Sequence, residues 1–96
     1  MRDDDFEWDD AKAAANLTKH GVSFEAARRA FNDIFGLERD DRREEYGEDR
    51  FTLIAMAGER LLLVAYTVRE QRFRVIMARY AEPFEKRLYH DQNKQT

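Results

Sequence analysis

The sequence predicts an α+β domain, and three observations carry that reading. The first third of the chain is rich in helix formers punctuated by capping residues; the middle holds Val-, Ile-, Phe- and Thr-rich runs of strand length; the only proline opens a last amphipathic stretch. Helices in one block and strands in another imply two helices covering one face of a sheet, with the other face partly open. With 96 residues, 43% hydrophobic and 12% aromatic, one modest core forms without staples, so residues 1–96 are read as a single domain.

In chain order, Phe6-Glu7-Trp8 alternates apolar and polar and predicts a short edge strand. Asp9 or Asp10 caps a helix over residues 11–20. Gly21 stops it in the left-handed conformation, with Lys19 and His20 at the negative end of its dipole. Ser23 caps a second helix in which Phe24, Ala27 and Phe31 recur on one face while Arg28 and Arg29 point out, and Asn32-Asp33 ends it. Residues 34–38 alternate loosely as a strand, and residues 39–49, almost entirely charged, read as a solvated and mobile loop. Residues 51–57 and 61–68 form a hairpin around Gly58-Glu59, a type II′ signal, and Glu70-Gln71 is a weaker turn leading into residues 72–78. These make a four-stranded antiparallel sheet. Pro83 then opens a helix carrying Phe84, Leu88 and Tyr89, and residues 91–96 lack an apolar anchor and are expected to fray.

Composition excludes several classes. There is no cysteine, so neither a disulfide framework nor a thiolate metal site exists, and the chain suits a reducing cytosol. The acidic opening is the reverse of a signal peptide, and no apolar run approaches the ~20 residues of a membrane helix. A cytoplasmic protein without membrane association is expected. No carboxylate pair of metal-like spacing, glycine-rich phosphate loop or Ser-His-Asp pattern is present, so no cofactor and no metal site are expected.

The chemistry is carried by arginine. Residues 1–59 hold nine Lys/Arg against sixteen Asp/Glu, whereas residues 60–96 hold eight against four, which suggests a basic working surface built by the C-terminal strands and helix. Arg69, Arg72, Arg74 and Arg79 lie at strand intervals in the last hairpin. Guanidinium forks suit phosphate or carboxylate, so the candidate ligands are RNA backbone or an acidic protein. A clean two-residue loop at Glu70-Gln71 would pair Arg69 with Arg72 and leave Arg79 on the opposite face. A three-residue loop or a bulge between Thr67 and Arg74 would unite Arg69 and Arg79, and that register is the expected one. His20 is the proton-transfer candidate of the ordered region, with helix capping as its structural alternative. Lys12, Asn16 and either Lys19 or His20 share a helix face that either meets RNA or locks onto the sheet. Trp8, Phe24, Phe31 and Phe73 read as core, and Tyr80 and Tyr89 as residues able to stack on a base.

The segments FEWDDAKAAANLTKHGVSFEAARRAFND, GEDRF, YTVR and RVIMARYAEPFEKRLY resemble the BrnT family of type II toxin–antitoxin toxins, which are small RelE-like ribonucleases. The likeness covers residues 6–89. It rests on W-D-x-x-K-x-x-x-N-x-x-K-H-G-V-x-F and on a closing A-R-x-A-x-x-x-E. The resemblance implies a RelE-like fold, metal-independent RNA cleavage by attack of a ribose 2′-oxygen, inhibition of translation, and neutralisation by a BrnA-like antitoxin with a ribbon-helix-helix DNA-binding part, in a heterotetramer. Arg69 and Arg79 match the family's two strand arginines and are expected to be catalytic with His20. Arg72, Arg74, Lys19, Lys12 and Tyr80 are expected to bind RNA, and Arg72, Arg74 and Lys86 to meet the antitoxin. Two departures stand out: Met77 takes the position of a common serine, and Pro83-Phe84 replaces lysine or threonine. The competing class is a non-catalytic module whose arginines dock an acidic partner or RNA.

Overall fold

The computed structural model describes residues 1–42 and 45–94. Its elements run β1 (Phe6–Glu7), α1 (Asp10–His20), α2 (Phe24–Ala30), β2 (Leu37–Asp41), β3 (Arg50–Ala57), β4 (Arg60–Arg69), β5 (Arg72–Tyr80) and α3 (Pro83–Gln92). The helix ends follow from local chemistry. Asp9 accepts the Lys12 amide at 3.0 Å, Ser23 accepts that of Ala26 at 3.0 Å, and Gly21 closes α1 at φ +69° with its N–H on Leu17 O.

The sheet has five strands in the order β1-β5-β4-β3-β2. Four are the expected antiparallel set. The fifth is the N-terminal strand itself, which joins the edge in parallel through Phe6↔Phe73 and Glu7↔Arg74. The first strand of the antiparallel set also lies later than residues 34–38, because Asp33 holds the chain in a turn: its Oδ1 accepts the Phe35 amide and its carbonyl accepts that of Gly36. Strand β2 then runs on into the charged stretch and pairs Glu38 to Asp41 with Leu53 to Arg50. An edge strand tolerates such residues, since charge there also deters pairing with another chain. The solvated loop expected over residues 39–49 therefore begins after Asp41, and Arg43 and Glu44 lie outside the described residues.

Apolar burial divides between the two faces. On one, α1 and α2 pack Trp8, Val22, Phe24, Ala27 and Ala30 against Leu53, Ala55, Leu62, Val64, Tyr66, Val75 and Ala78. Trp8 and Phe24 are core as expected, and Phe31 and Phe73 pack against that core. On the other, α3 places Tyr89 and Leu88 over Ile54, Leu63, Met56 and Met77. Helix α3 includes Asp91. It continues to Gln92, and the Asn93 side-chain amide donates to Phe35 O at 3.1 Å and Tyr89 O at 2.9 Å. Residues 95 and 96 lie outside the described residues.

Candidate functional site

The register of the last hairpin positions the site. Arg69 pairs with Arg72 across a two-residue turn in which Glu70 and Gln71 carry φ of 50° and 66°, the type I′ geometry. A three-residue loop is thus absent. The irregularity falls further along: Tyr66 pairs with Val75 but Ala65 pairs with Met77, leaving Ile76 as an extra residue. Side chains alternate faces with period two, so an unbroken β5 would send Arg79 to the α1–α2 side. The bulge at Ile76 reverses that parity. Arg69, Arg72, Arg74 and Arg79 consequently all belong to the face that carries α3, although the device lies outside residues 67–74, where it was expected.

One face is not one point. Arg79 lies seven positions after Arg72, and at ~3.3 Å per residue, less the slack of the bulge, they stand roughly 20 Å apart. Arg69 and Arg79 can therefore contact one RNA strand but cannot clamp the same phosphate.

Each of the four arginines meets an acceptor of its own chain. Arg69 donates to Glu48 Oε1 at 2.8 Å, Arg74 to Glu7 at 2.6 Å and Arg72, through Nε, to Asp3 O at 2.7 Å. Arg79 makes a bidentate pair with Glu85, 2.8 and 2.9 Å from its two terminal nitrogens. The acidic N-terminal half thus folds onto the basic strands, and the charge segregation seen along the chain is largely neutralised in space. The pairs differ in permanence. Arg69 is half exposed, so phosphate can displace Glu48 at small cost. Glu85 is only 4% exposed, so its pair with Arg79 is built in.

Helix α1 accounts for another group of candidates. Asn16 is buried and replaces a neighbouring strand at the β5 edge: its amide donates to Ala78 O at 2.8 Å and accepts from Ala78 N at 3.2 Å. It also donates to Val22 O at 2.9 Å. Of that helix face Asn16 locks onto the sheet, while Lys12 and Lys19 are exposed. With β1 beside Arg74 and Asn16 beside Ala78, α1 runs along β5. His20, four residues on, lies about 6 Å further along α1, toward the Arg79 end of β5, but α1 packs on the face of the sheet opposite the Arg79 side chain. Tyr80 pairs with Leu62 and so faces the α1–α2 side, where Arg60 stacks over its ring at 4.5 Å. Tyr89 is no stacking platform. It is buried, its hydroxyl donates to Asp33 at 2.7 Å, and burial with that carboxylate pushes its pKa up to about 12. Lys86 is exposed on α3, and Met77, in place of a hydroxyl, packs under that helix.

Arg79 forms part of a cleft of about 290 Å³ between β2 and α3, which Glu85, Thr52, Ile54, Leu63 and Phe84 also line. The sequence model described as "Ribonuclease toxin, BrnT, of type II toxin-antitoxin system" matches residues 8–85. The chain belongs to this BrnT family. No curated protein matches it. The BrnT match spans His20 and all four hairpin arginines and ends on Glu85. It makes the protein a ribonuclease toxin of a type II toxin–antitoxin system, with a protein antitoxin as partner. No helix among the described residues is long and apolar enough to cross a membrane, and no three His, Cys, Asp or Glu side chains among them converge as metal ligands.

Two carboxylates central to this BrnT architecture escaped the sequence reading. Burial raises the pKa of Glu85, but hydrogen bonds from Arg79 and the Glu82 amide outweigh it and hold the carboxyl below its ordinary value of 4.5. Asp33 is likewise lowered: burial opposes ionisation, while the Met56 amide, Tyr89 hydroxyl and Phe35 amide favour it. The closing A-R-x-A-x-x-x-E motif contained the signal for Glu85, since a carboxylate at the third position of a helix reaches back to the capping residue. For Asp33 no signal existed beyond a helix end.

Proposed function

We propose that this BrnT protein is a metal-independent endoribonuclease of the cytoplasm that cuts RNA by transesterification and so inhibits translation. In the reaction the 2′-oxygen attacks the adjacent phosphorus and loses its proton to a base, while the departing 5′-oxygen takes up a proton. The products are a 2′,3′-cyclic phosphate and a 5′-hydroxyl. Arg79 stabilises the charge gathering on the phosphoryl oxygens, with its guanidinium plane fixed by Glu85. His20, on the helix that lines the β5 edge through Asn16, is the group assigned to move the protons. Arg69, Arg72 and Arg74 hold the RNA backbone further along the face, with Lys12 and Lys19 on the flanking helix. The observation that carries this reading is the bulge at Ile76, which brings Arg79 to the face of the other three arginines.

The partner in this reading is a BrnA-like antitoxin with a ribbon-helix-helix DNA-binding part, forming a heterotetramer with the toxin and covering Arg72, Arg74 and Lys86. The deciding experiment incubates the purified chain with a synthetic RNA in the presence of chelator. Cleavage at an unchanged rate, leaving cyclic phosphate ends, is expected. Activity lost in chelator and restored by magnesium would replace this mechanism with metal-assisted hydrolysis. Binding without cleavage under any condition would favour a non-catalytic module.

A further inference from the structure

The cleft between β2 and α3 differs in character from the arginine row beside it. Its lining combines the apolar side chains of Ile54, Leu63 and Phe84 with four carboxylates, Asp40, Asp41, Glu82 and Glu85, and three guanidinium groups, Arg39, Arg42 and Arg79. That charge balance disfavours phosphate as the occupant. Those charges largely face one another, Asp40 with Arg42 at 3.0 Å and Glu85 with Arg79 at 2.8 Å, so the cleft suits an uncharged ring held by its apolar wall. The volume of about 290 Å³ lies just below the ~300–1,000 Å³ usual for small-molecule sites, room for one ring system and too little for a base pair. Phe84 stands at this cleft 47% exposed and belongs to neither apolar cluster. An exposed aromatic beside an arginine is the arrangement on which unstacked bases are held.

We propose that the cleft binds a single unpaired nucleobase of the RNA, stacked on Phe84, beside the phosphate held at Arg79. The inference rests on the ribonuclease reading and deepens it, because it assigns the substrate class as single-stranded RNA. In a duplex every base is paired and stacked, and none can enter a cleft of this size without being extruded. The base enters beside Arg79 while its strand continues over Arg74, Arg72 and Arg69, so the cleft positions the scissile phosphate.

The test measures binding apart from cleavage, using a fluorescent 2′-O-methyl oligonucleotide that lacks the attacking hydroxyl. Phe84→Ala should weaken single-strand binding about tenfold, a typical loss for one stacking platform, and Phe84→Tyr should retain it. An oligonucleotide with one abasic position opposite the cleft should bind about tenfold more weakly than the intact strand and be insensitive to Phe84→Ala, the signature of a coupled pair. Duplex of the same sequence should bind more weakly than the single strand and be indifferent to the substitution. Wild-type affinity of Phe84→Ala for the single strand, or tighter binding of duplex, would overturn the proposal. So would loss of antitoxin capture with unchanged oligonucleotide affinity, which would give the cleft to the protein partner. Because Phe84 lies outside both cores, a matching thermal melt is expected. RNA cleavage that persists undiminished in Phe84→Ala sinks the base subsite alone, whereas a wild-type chain that never cleaves sinks the ribonuclease reading.

Discussion

At the scale of single residues, Glu85 decides what Arg79 can do. A guanidinium meant to meet charge arising in the transition state must not reorganise when that charge appears, and a bidentate carboxylate fixes its plane in advance. Glu85→Gln keeps the shape and removes the charge. It should lower kcat about a hundredfold with little change in KM, because the lost interaction is specific to the transition state. Arg69→Ala should instead raise KM, since that residue stands roughly 20 Å away along the strand. Faster cleavage by Glu85→Gln would show that Glu85 masks Arg79 rather than orienting it. Stability offers a second readout. Breaking a buried pair on one side costs about 3 kcal/mol, and Glu85 has its pKa lowered on folding. Its contribution is therefore complete above the unfolded value of 4.5 and is lost as pH falls through the lower folded value. Urea melts across this range should lose stability less steeply in Glu85→Gln than in the wild type. Equal slopes would remove Glu85 from the acid transition.

At the scale of elements, the β4–β5 hairpin turns on two non-glycine residues in the left-handed region, Glu70 at φ 50° and Gln71 at φ 66°. That conformation strains a side chain and suits glycine. Gln71→Gly should therefore stabilise the fold by about 1 kcal/mol, with the gain in relieved strain exceeding the added freedom of the unfolded chain. A urea midpoint below wild type would mean that Gln71 contributes more by its contacts than it costs in strain. The same hairpin marks where sequence reading stops. Gly58-Glu59 announced its turn because glycine at φ +64° is what that geometry selects. Glu70-Gln71 gave only a weak signal because neither residue favours type I′. Nothing in Arg72-Phe73-Arg74-Val75-Ile76-Met77 distinguishes the bulged Ile76 from its neighbours, because a bulge reflects pairing with β4 and leaves no local trace in hydropathy. Strand β2 was displaced for the opposite reason: Leu-Glu-Arg-Asp-Asp has the composition of a loop, and its pairing to β3 supplies order that propensity does not.

At the scale of the whole molecule, the acidic N-terminal half closes over the basic C-terminal strands, through Glu7 on Arg74, Glu48 on Arg69 and the Asp3 carbonyl on Arg72. No local pattern foretold this, because each pair joins residues far apart in sequence. It reshapes the expectation for the antitoxin: an acidic segment aimed at these arginines would have to compete with carboxylates already in place. The arginines differ as targets. Arg74 is three-quarters buried against Glu7, so Arg74→Glu would set two carboxylates together and disturb the fold before it tested recognition. Lys86 is exposed on α3 and reports on recognition alone, while Arg69, half exposed but paired with Glu48, is read with a thermal melt beside it. Charge reversal at either should weaken capture of the antitoxin, whereas Arg29→Glu, exposed on α2 across the sheet, should leave it unchanged. High salt should slow association more than it speeds dissociation, because steering acts over the approach while the packed interface sets the lifetime. Stopped-flow association and competition-chase dissociation on the three variants separate these effects. A complex that tolerates Arg69→Glu and Lys86→Glu but fails with Arg29→Glu would place the antitoxin on the α1–α2 side, and inhibition would then have to act through the sheet.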